Sequence, residues 1–275
     1  IEDKVCRSPR IVLLDNQHIE RTETNMSDLS SKYFDSIRDL LLNSDTRYQH
    51  LLEQNSAVKN MLKIANKQLN ELRINKPDAA GLIVASTVAH ANQISAILRE
   101  LGEVATVVSY QNNGSQKAIN TFRHGHARWI VSVGMISEGT DIPRLQVCCY
   151  LSRVRTELYL RQVLGRILRR NNLTDKTAWL YLYAEPQLED YCHRIQIDLP
   201  SDPSVVSKLS IGDGYLFSVG SHIDQTTNDS FELNLESSFT DLEIGEQIYS
   251  NTKTGVCVNI YLSEMYAQRV LQLFE

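Results

Sequence analysis

The sequence predicts an α/β protein: a doubly wound parallel sheet with an N-terminal helical pair and a small acidic C-terminal extension. Three observations lead there. From residue 81 onward, short apolar runs alternate with segments of helical periodicity. The apolar runs are continuous rather than alternating, as in strands buried on both faces. The helical segments between them can cover both faces of such a sheet. With 275 residues, the chain has room for one large domain or two small ones.

Residues 1–78 form the lead-in. Pro9 and the apolar run IVLL at 11–14 give one strand, followed by a polar loop to residue 25. This segment carries no functional signal. Residues 27–74 read as two helices, with Ser27 and Asp28 able to cap the first and Ser44 or Asp45 the second. In the second, Tyr48, Leu51, Leu52, Val58, Met61, Leu62, Ala65, Leu69 and Leu72 recur near helical spacing and make one buried stripe. A coiled-coil partner could take that stripe, but packing on its own domain is the simpler use. The run NKPD at 75–78 ends it.

Residues 79–197 form the main domain. Strands are expected at 82–85, 104–109, 128–133, 147–151 and 178–183. Helices are expected at 88–101, 115–122 and 187–197, and over the basic stretch 159–170. Doubly wound sheets bind ligands outside the carboxyl ends of their strands. The loops after Val133 and Leu151 are therefore the expected site. Beyond a turn-rich linker at 198–203, residues 204–275 set three basic residues against ten acidic ones. Alternating runs at 215–219, 231–235 and 256–262 suggest strands, and a final helix is expected from Ser263. That acidity suits an interaction surface or a spacer rather than a phosphate site.

Composition narrows the classes. Hydrophobic residues make up 42%, no apolar run reaches the length of a membrane span, and no signal-peptide pattern opens the chain. Five cysteines without a C-x-x-C pair argue against a disulfide framework or a zinc site. They suit a reducing, cytoplasmic setting. The first residue is Ile1, so a longer parent protein is expected. A net charge of −5 does not announce a nucleic-acid partner, but the distribution matters more. Residues 153–170 hold six arginines against the single acid Glu157, which concentrates positive potential.

Two stretches carry the chemistry. The first, WIVSVGMISEGTDIP at 129–143, runs from a buried strand into a loop with Gly134, Gly139, Asp141 and Pro143. The second, YLRQVLGRILRR at 159–170, places Arg166 and Arg169 three apart, hence on one face of a helical turn. Two guanidinium groups aimed the same way suit capture of phosphate oxygens. For the spacing alone, a solvated basic face is the simpler reading. Gly165 inside the helix costs about 1 kcal/mol against alanine and suggests close approach by a backbone or ligand. Asp141 can accept hydrogen bonds from ribose hydroxyls, and Gln162 can donate or accept near a water or phosphate.

Together these stretches resemble the fifth and sixth motifs of superfamily 2 helicases: a strand followed by E-G-x-D-I-P, then Q-x-x-G-R-x-x-R. The phrases PDAAGLIV at 77–84, SEGTDIPR at 137–144 and TELYLRQ at 156–162 are similar to helicase-like proteins of the type I and type III restriction kind. The resemblance implies a second, RecA-like motor lobe over residues 79–197. It implies catalytic roles for Gln162, Arg166 and Arg169, and nucleotide binding by Gly139, Asp141 and Gly165. Neither G-x-x-x-x-G-K-[ST] nor D-E-x-[DH] occurs in the chain. ATP and Mg2+ would then be held mainly by a first lobe supplied in cis, and this chain alone is expected to be inactive and monomeric. The implied polymer is DNA, with RNA not excluded. Candidate contacts are Ser86, Thr87, Ser109, Ser132, Gly134 and Arg153, of which Thr87 also reads as a helix cap. Many relatives carry threonine where Val133 stands, and valine cannot make that phosphate contact. The competing function is a catalytically silent, helicase-derived binding or docking module.

Overall fold

The computed structural model describes residues 6–16, 18–24, 29–111, 114–134, 141–170, 176–198, 206–212, 247–248, 257–262 and 265–269. The lead-in gives β1 (Ser8–Asn16), β2 (Ile19–Thr24), β3 (Leu29–Phe34), α1 (Ile37–Asn43), α2 (Tyr48–Glu53) and α3 (Asn55–Asn75). The alternating region gives β4 (Ala80–Ala85), α4 (Val88–Glu100), β5 (Ala105–Ser109), α5 (Ser115–His124) and β6 (Trp129–Val133). It continues through β7 (Leu145–Leu151), α6 (Glu157–Ile167), β8 (Thr177–Tyr183) and α7 (Pro186–Ile197). The last described strands are β9 (Val206–Gly212), β10 (Gln247–Ile248), β11 (Cys257–Leu262) and β12 (Met265–Arg269).

The main sheet runs β12-β9-β1-β8-β7-β4-β6-β5, and every neighbouring pair in it is parallel except β12 with β9. Its centre is dry: every residue of β4, β6 and β7 is buried. These are the strands whose sequences are apolar throughout, which is the pattern two covered faces demand. Right-handed crossovers put α3 and α4 on one face and α5, α6 and α7 on the other. On the first face, α3 buries Ala57, Val58, Met61, Leu62, Ala65 and Leu69. Gln93 of α4 donates to Glu53 O at 2.9 Å, and Lys59 pairs with Glu100 at 3.0 Å. The apolar stripe of the second expected helix thus packs on its own domain.

Several elements differ from expectation. The first expected helix starts late: residues 29–34 are β3, paired antiparallel with β2, and α1 begins after Ser36, whose hydroxyl accepts from Asp39 N at 2.9 Å. Cross-strand Tyr33–Glu20 and Thr22–Ser31 contacts at 3.2 and 3.3 Å hold that hairpin, and local propensity yields to them. The second expected helix is two, broken at Gln54. Residues 265–269 are strand β12 rather than helix, because β9 offers an open sheet edge for pairing. The runs expected at 215–219 and 231–235 lie outside the described residues. Most consequential is β1. It does not stand outside the main domain but lies inside the sheet, between β8 and β9.

No helix among the described residues is long and apolar enough to cross a membrane.

Candidate functional site

Parallel strands have two distinct edges, and the candidate residues divide between them. At the carboxyl edge lie Ser86, Thr87, Ser109, Gly134 and Arg153. Ser86 follows β4 and donates its hydroxyl to Leu151 O at 2.7 Å, tying the ends of β4 and β7 together. Thr87 is the N-cap of α4, accepting from His90 N at 3.1 Å. Ser109 ends β5, is buried, and receives the Ser115 hydroxyl on its carbonyl at 2.8 Å. Gly134 leaves β6 with φ of 69°, a left-handed turn that favours glycine. A side chain there would stand 3.5 Å from the exposed ring of Tyr110. Arg153 is exposed and donates to Gln49 Oε1 at 3.1 Å. Ser132 is not at this surface; it is buried within β6 at 2% exposure.

Asp141 and Arg169 lie at the other, amino edge. Gly134 leaves β6 at the carboxyl edge, whereas Asp141 stands four residues before the start of β7. Similarly α6 starts beside Arg153 and ends beside Leu168, across the sheet. The first set therefore stands at the carboxyl edge, where the site was expected, and this pair stands at the opposite one. Arg169 Nη1 lies 2.6 Å from Asp141 Oδ1, and Arg123 Nη2 of α5 lies 3.6 Å from Asp141 Oδ2. The fifth- and sixth-motif stretches thus meet at an ion pair whose members are 43% and 48% exposed. An exposed pair of this kind is weak and screened, so its partners can be exchanged for those of a ligand. Arg166 is half-buried in the last turn of α6, and Gln162, also half-buried, lies one turn further back on the same face. Gly139 lies outside the described residues.

Two expectations about α6 are corrected. Arg169 is not on the helix. The helix ends at Ile167, and Arg169 instead forms an isolated antiparallel bridge with Cys6. The reason is Arg7, whose backbone N–H takes Leu168 O at 2.8 Å and whose guanidinium takes Ile167 O at 2.7 Å, ending the helix. Gly165 meets no close backbone: a Cβ there would find nothing within 4 Å. The close-approach argument has no partner within the described residues, and what the glycine leaves is open space beside the α6 face.

Three arginines were invisible as site residues in the sequence. Arg123 falls just past the helix expected at 115–122, yet it faces Asp141. Arg144 is buried at 4%, donating to Phe122 O at 3.1 and 2.7 Å, Ala127 O at 2.6 Å and Asp78 O at 3.1 Å. Its guanidinium sits 4.1 Å from the Phe122 ring centroid. Burial, and then neighbouring Arg73, push its pKa down to about 10, so it remains charged at neutral pH and pins the amino edge. Arg7 is fully buried in a segment that the sequence marked as uninformative. No local pattern announces a buried arginine, because its partners are carbonyls of distant segments.

Residues 63–171 match the helicase conserved C-terminal domain. The uncharacterized protein Rv2917 of Mycobacterium tuberculosis (strain ATCC 25618 / H37Rv) is 33% identical over 138 residues, which are 50% of this chain and 23% of that protein. ML1624 of Mycobacterium leprae (strain TN), also uncharacterized, is 33% identical over 129 residues, 46% of this chain and 22% of that protein. The chain thus spans under a quarter of the length of these relatives. Among solved structures, a fragment assigned to the HsdR subunit of a type I restriction enzyme from Vibrio vulnificus YJ016 has a TM-score of 0.53 at 11% identity, covering 76% of this chain and 37% of that one. At that identity the likeness speaks for the fold. The match over residues 63–171 and the parallel sheet flanked by helices agree on a RecA-like α/β fold, similar to the helicase conserved C-terminal domain.

Proposed function

We propose that this chain is the second motor lobe of an ATP-dependent DNA helicase or translocase, and that it supplies an arginine finger to a nucleotide site completed by a first lobe. The observation that carries the reading is the meeting of Arg169 and Asp141 at 2.6 Å, with Arg166 in the last turn of α6 and Gln162 one turn before it. When a nucleotide is bound, Asp141 exchanges its arginine for ribose hydroxyls. Arg166 and Arg169 then place positive charge on the terminal phosphates, where charge spreads as the phosphoryl group transfers. Arg123 is available to the same anion. The amino edge thus offers cations and one ribose acceptor. The phosphate-cradling loop and Mg2+ ligands belong to the first lobe in this reading. The carboxyl edge offers hydroxyls, a left-handed glycine turn and Arg153, groups that position a nucleic-acid backbone without reading its sequence.

The test is in the whole protein. Arg169→Ala is expected to lower ATP turnover by about a hundredfold or more, at the low end of the effect of arginine fingers, while nucleotide affinity changes little. The reason is that the finger acts on charge that develops only in the transition state. Arg169→Lys does not restore turnover, because an ammonium lacks the planar fork. Asp141→Ala weakens affinity with a smaller effect at saturation. Full turnover by Arg169→Ala sinks the catalytic assignment, and leaves the silent docking module as the better reading.

A further inference from the structure

We propose that Arg7 is a positioning residue for the nucleotide site, fixing where Arg169 and Asp141 stand relative to each other. The inference rests on the catalytic reading of Arg169 given above. Arg7 has 0% exposure, and its guanidinium donates to three carbonyls at 2.7 Å each: Pro143 O, Leu145 O and Ile167 O. Two of these belong to the segment that follows Asp141, and the third to the last turn of α6. One rigid, planar cation therefore joins the fifth-motif loop to the sixth-motif helix. Hydrogen bonds from an ionised donor are the stronger kind, and the final carbonyls of a helix carry partial negative charge that a cation satisfies.

The backbone of the same segment completes the arrangement. Arg7 N donates to Leu168 O at 2.8 Å, and Cys6 bridges Arg169. These bonds stop α6 and swing residue 169 off the helix axis, toward Asp141. A helix continued through residue 169 would set that side chain on the α6 surface instead. Ser8 N then donates to Lys176 O at 2.8 Å, and β1 runs into the sheet beside β8. The finger is thus mounted on the two residues that lead into β1, Cys6 and Arg7, rather than on the helix that precedes it in sequence. Lysine cannot replace Arg7 here, because a single ammonium does not reach three carbonyls set in one plane around a guanidinium.

The experiment is a double-mutant cycle in the whole protein, using Arg7→Gln, Arg169→Ala and the pair, with steady-state ATP turnover as the readout and a thermal melt as the folding control. Displacing a catalytic group by about 1 Å costs up to two orders of magnitude. Arg7→Gln is therefore expected to lower kcat by about tenfold to a hundredfold in the native background. In the Arg169→Ala background, where no finger remains to misplace, it is expected to lower kcat by less than about twofold, the non-additivity that coupled residues show. Equal losses in both backgrounds mean a general structural role and overturn the proposal. Where Arg7→Gln lacks a cooperative melt, Arg7→Lys, which keeps the buried charge, is read through the same cycle. A slow Arg169→Ala beside fast Arg7 variants overturns this inference alone. A fast Arg169→Ala overturns it together with the functional reading.

Discussion

His90 shows what one buried side chain does to the pH response. It is 3% exposed at the start of α4, where Ser86 N donates to its Nδ1 at 3.3 Å. Burial, the dominant cause, lowers its pKa to about 4; Glu53 and the Leu52 backbone oppose this weakly, and Arg153 adds to it. In the unfolded chain the imidazole titrates near 6.5. Between those two values the unfolded state binds the extra proton, so stability falls as pH drops from about 6.5 to about 4 and is flat above. The difference sets an upper bound of about 3 kcal/mol. Urea unfolding at pH 7 and pH 4.5 is expected to show this loss, and His90→Gln to shrink it; an unchanged slope in that variant refutes the assignment. The sequence has no metal-ligand spacing around His90. It could not mark Arg7 or Arg144. A buried cation is made tolerable by carbonyls from segments far along the chain, and only the folded sheet brings those together.

Among elements, the β4–β6 contact depends on an absent side chain. Gly81 of β4 sits against Trp129 of β6, and a Cβ at residue 81 would lie 2.1 Å from the indole ring. Trp129 is fully buried, with its Nε1 donating to Asn66 Oδ1 of α3 at 3.3 Å, so it has no room to withdraw. Gly81→Ala is expected to destabilise the chain by about 1–3 kcal/mol or more, as overpacking does. Adding Trp129→Leu should recover part of that loss, and chemical denaturation of the two variants decides it. The central strands were legible because a strand buried on both faces is apolar throughout. The hairpin β2–β3 was not, because its residues are polar and its pairing is set across strands. The end of α6 was also illegible: its residues continue a helical pattern through Arg170, and only Arg7, about 160 positions earlier, stops it.

At the scale of the whole molecule, the two candidate sets sit at opposite edges of the sheet, a strand of six residues apart, or about 20 Å. Every crossover of a parallel sheet runs from one edge to the other, and α6 is the one that carries Gln162 and Arg166. Among the described residues the amino edge holds arginines and Asp141, and the sequence has no G-x-x-x-x-G-K-[ST] run, which leads to an expectation for the isolated chain. It should unfold cooperatively, yet bind ATP weakly and not hydrolyse it; phosphate release by a clean preparation above a buffer control contradicts the division of labour between lobes. The doubly wound plan and the two motif stretches were readable in the sequence, whereas their placement on different edges was not, since it depends on where each connection ends. The position of β1 has a consequence for synthesis. Ser8 pairs with Thr177, so the first strand emerges from the ribosome roughly 170 residues before its earliest neighbour. At ~5–20 residues per second this is a wait of roughly 10–30 s, during which Ile11, Val12, Leu13 and Leu14 have no sheet to enter. An apolar strand with two bare edges is a template for wrong pairing, so the nascent chain, more than the finished protein, is the species that needs a chaperone.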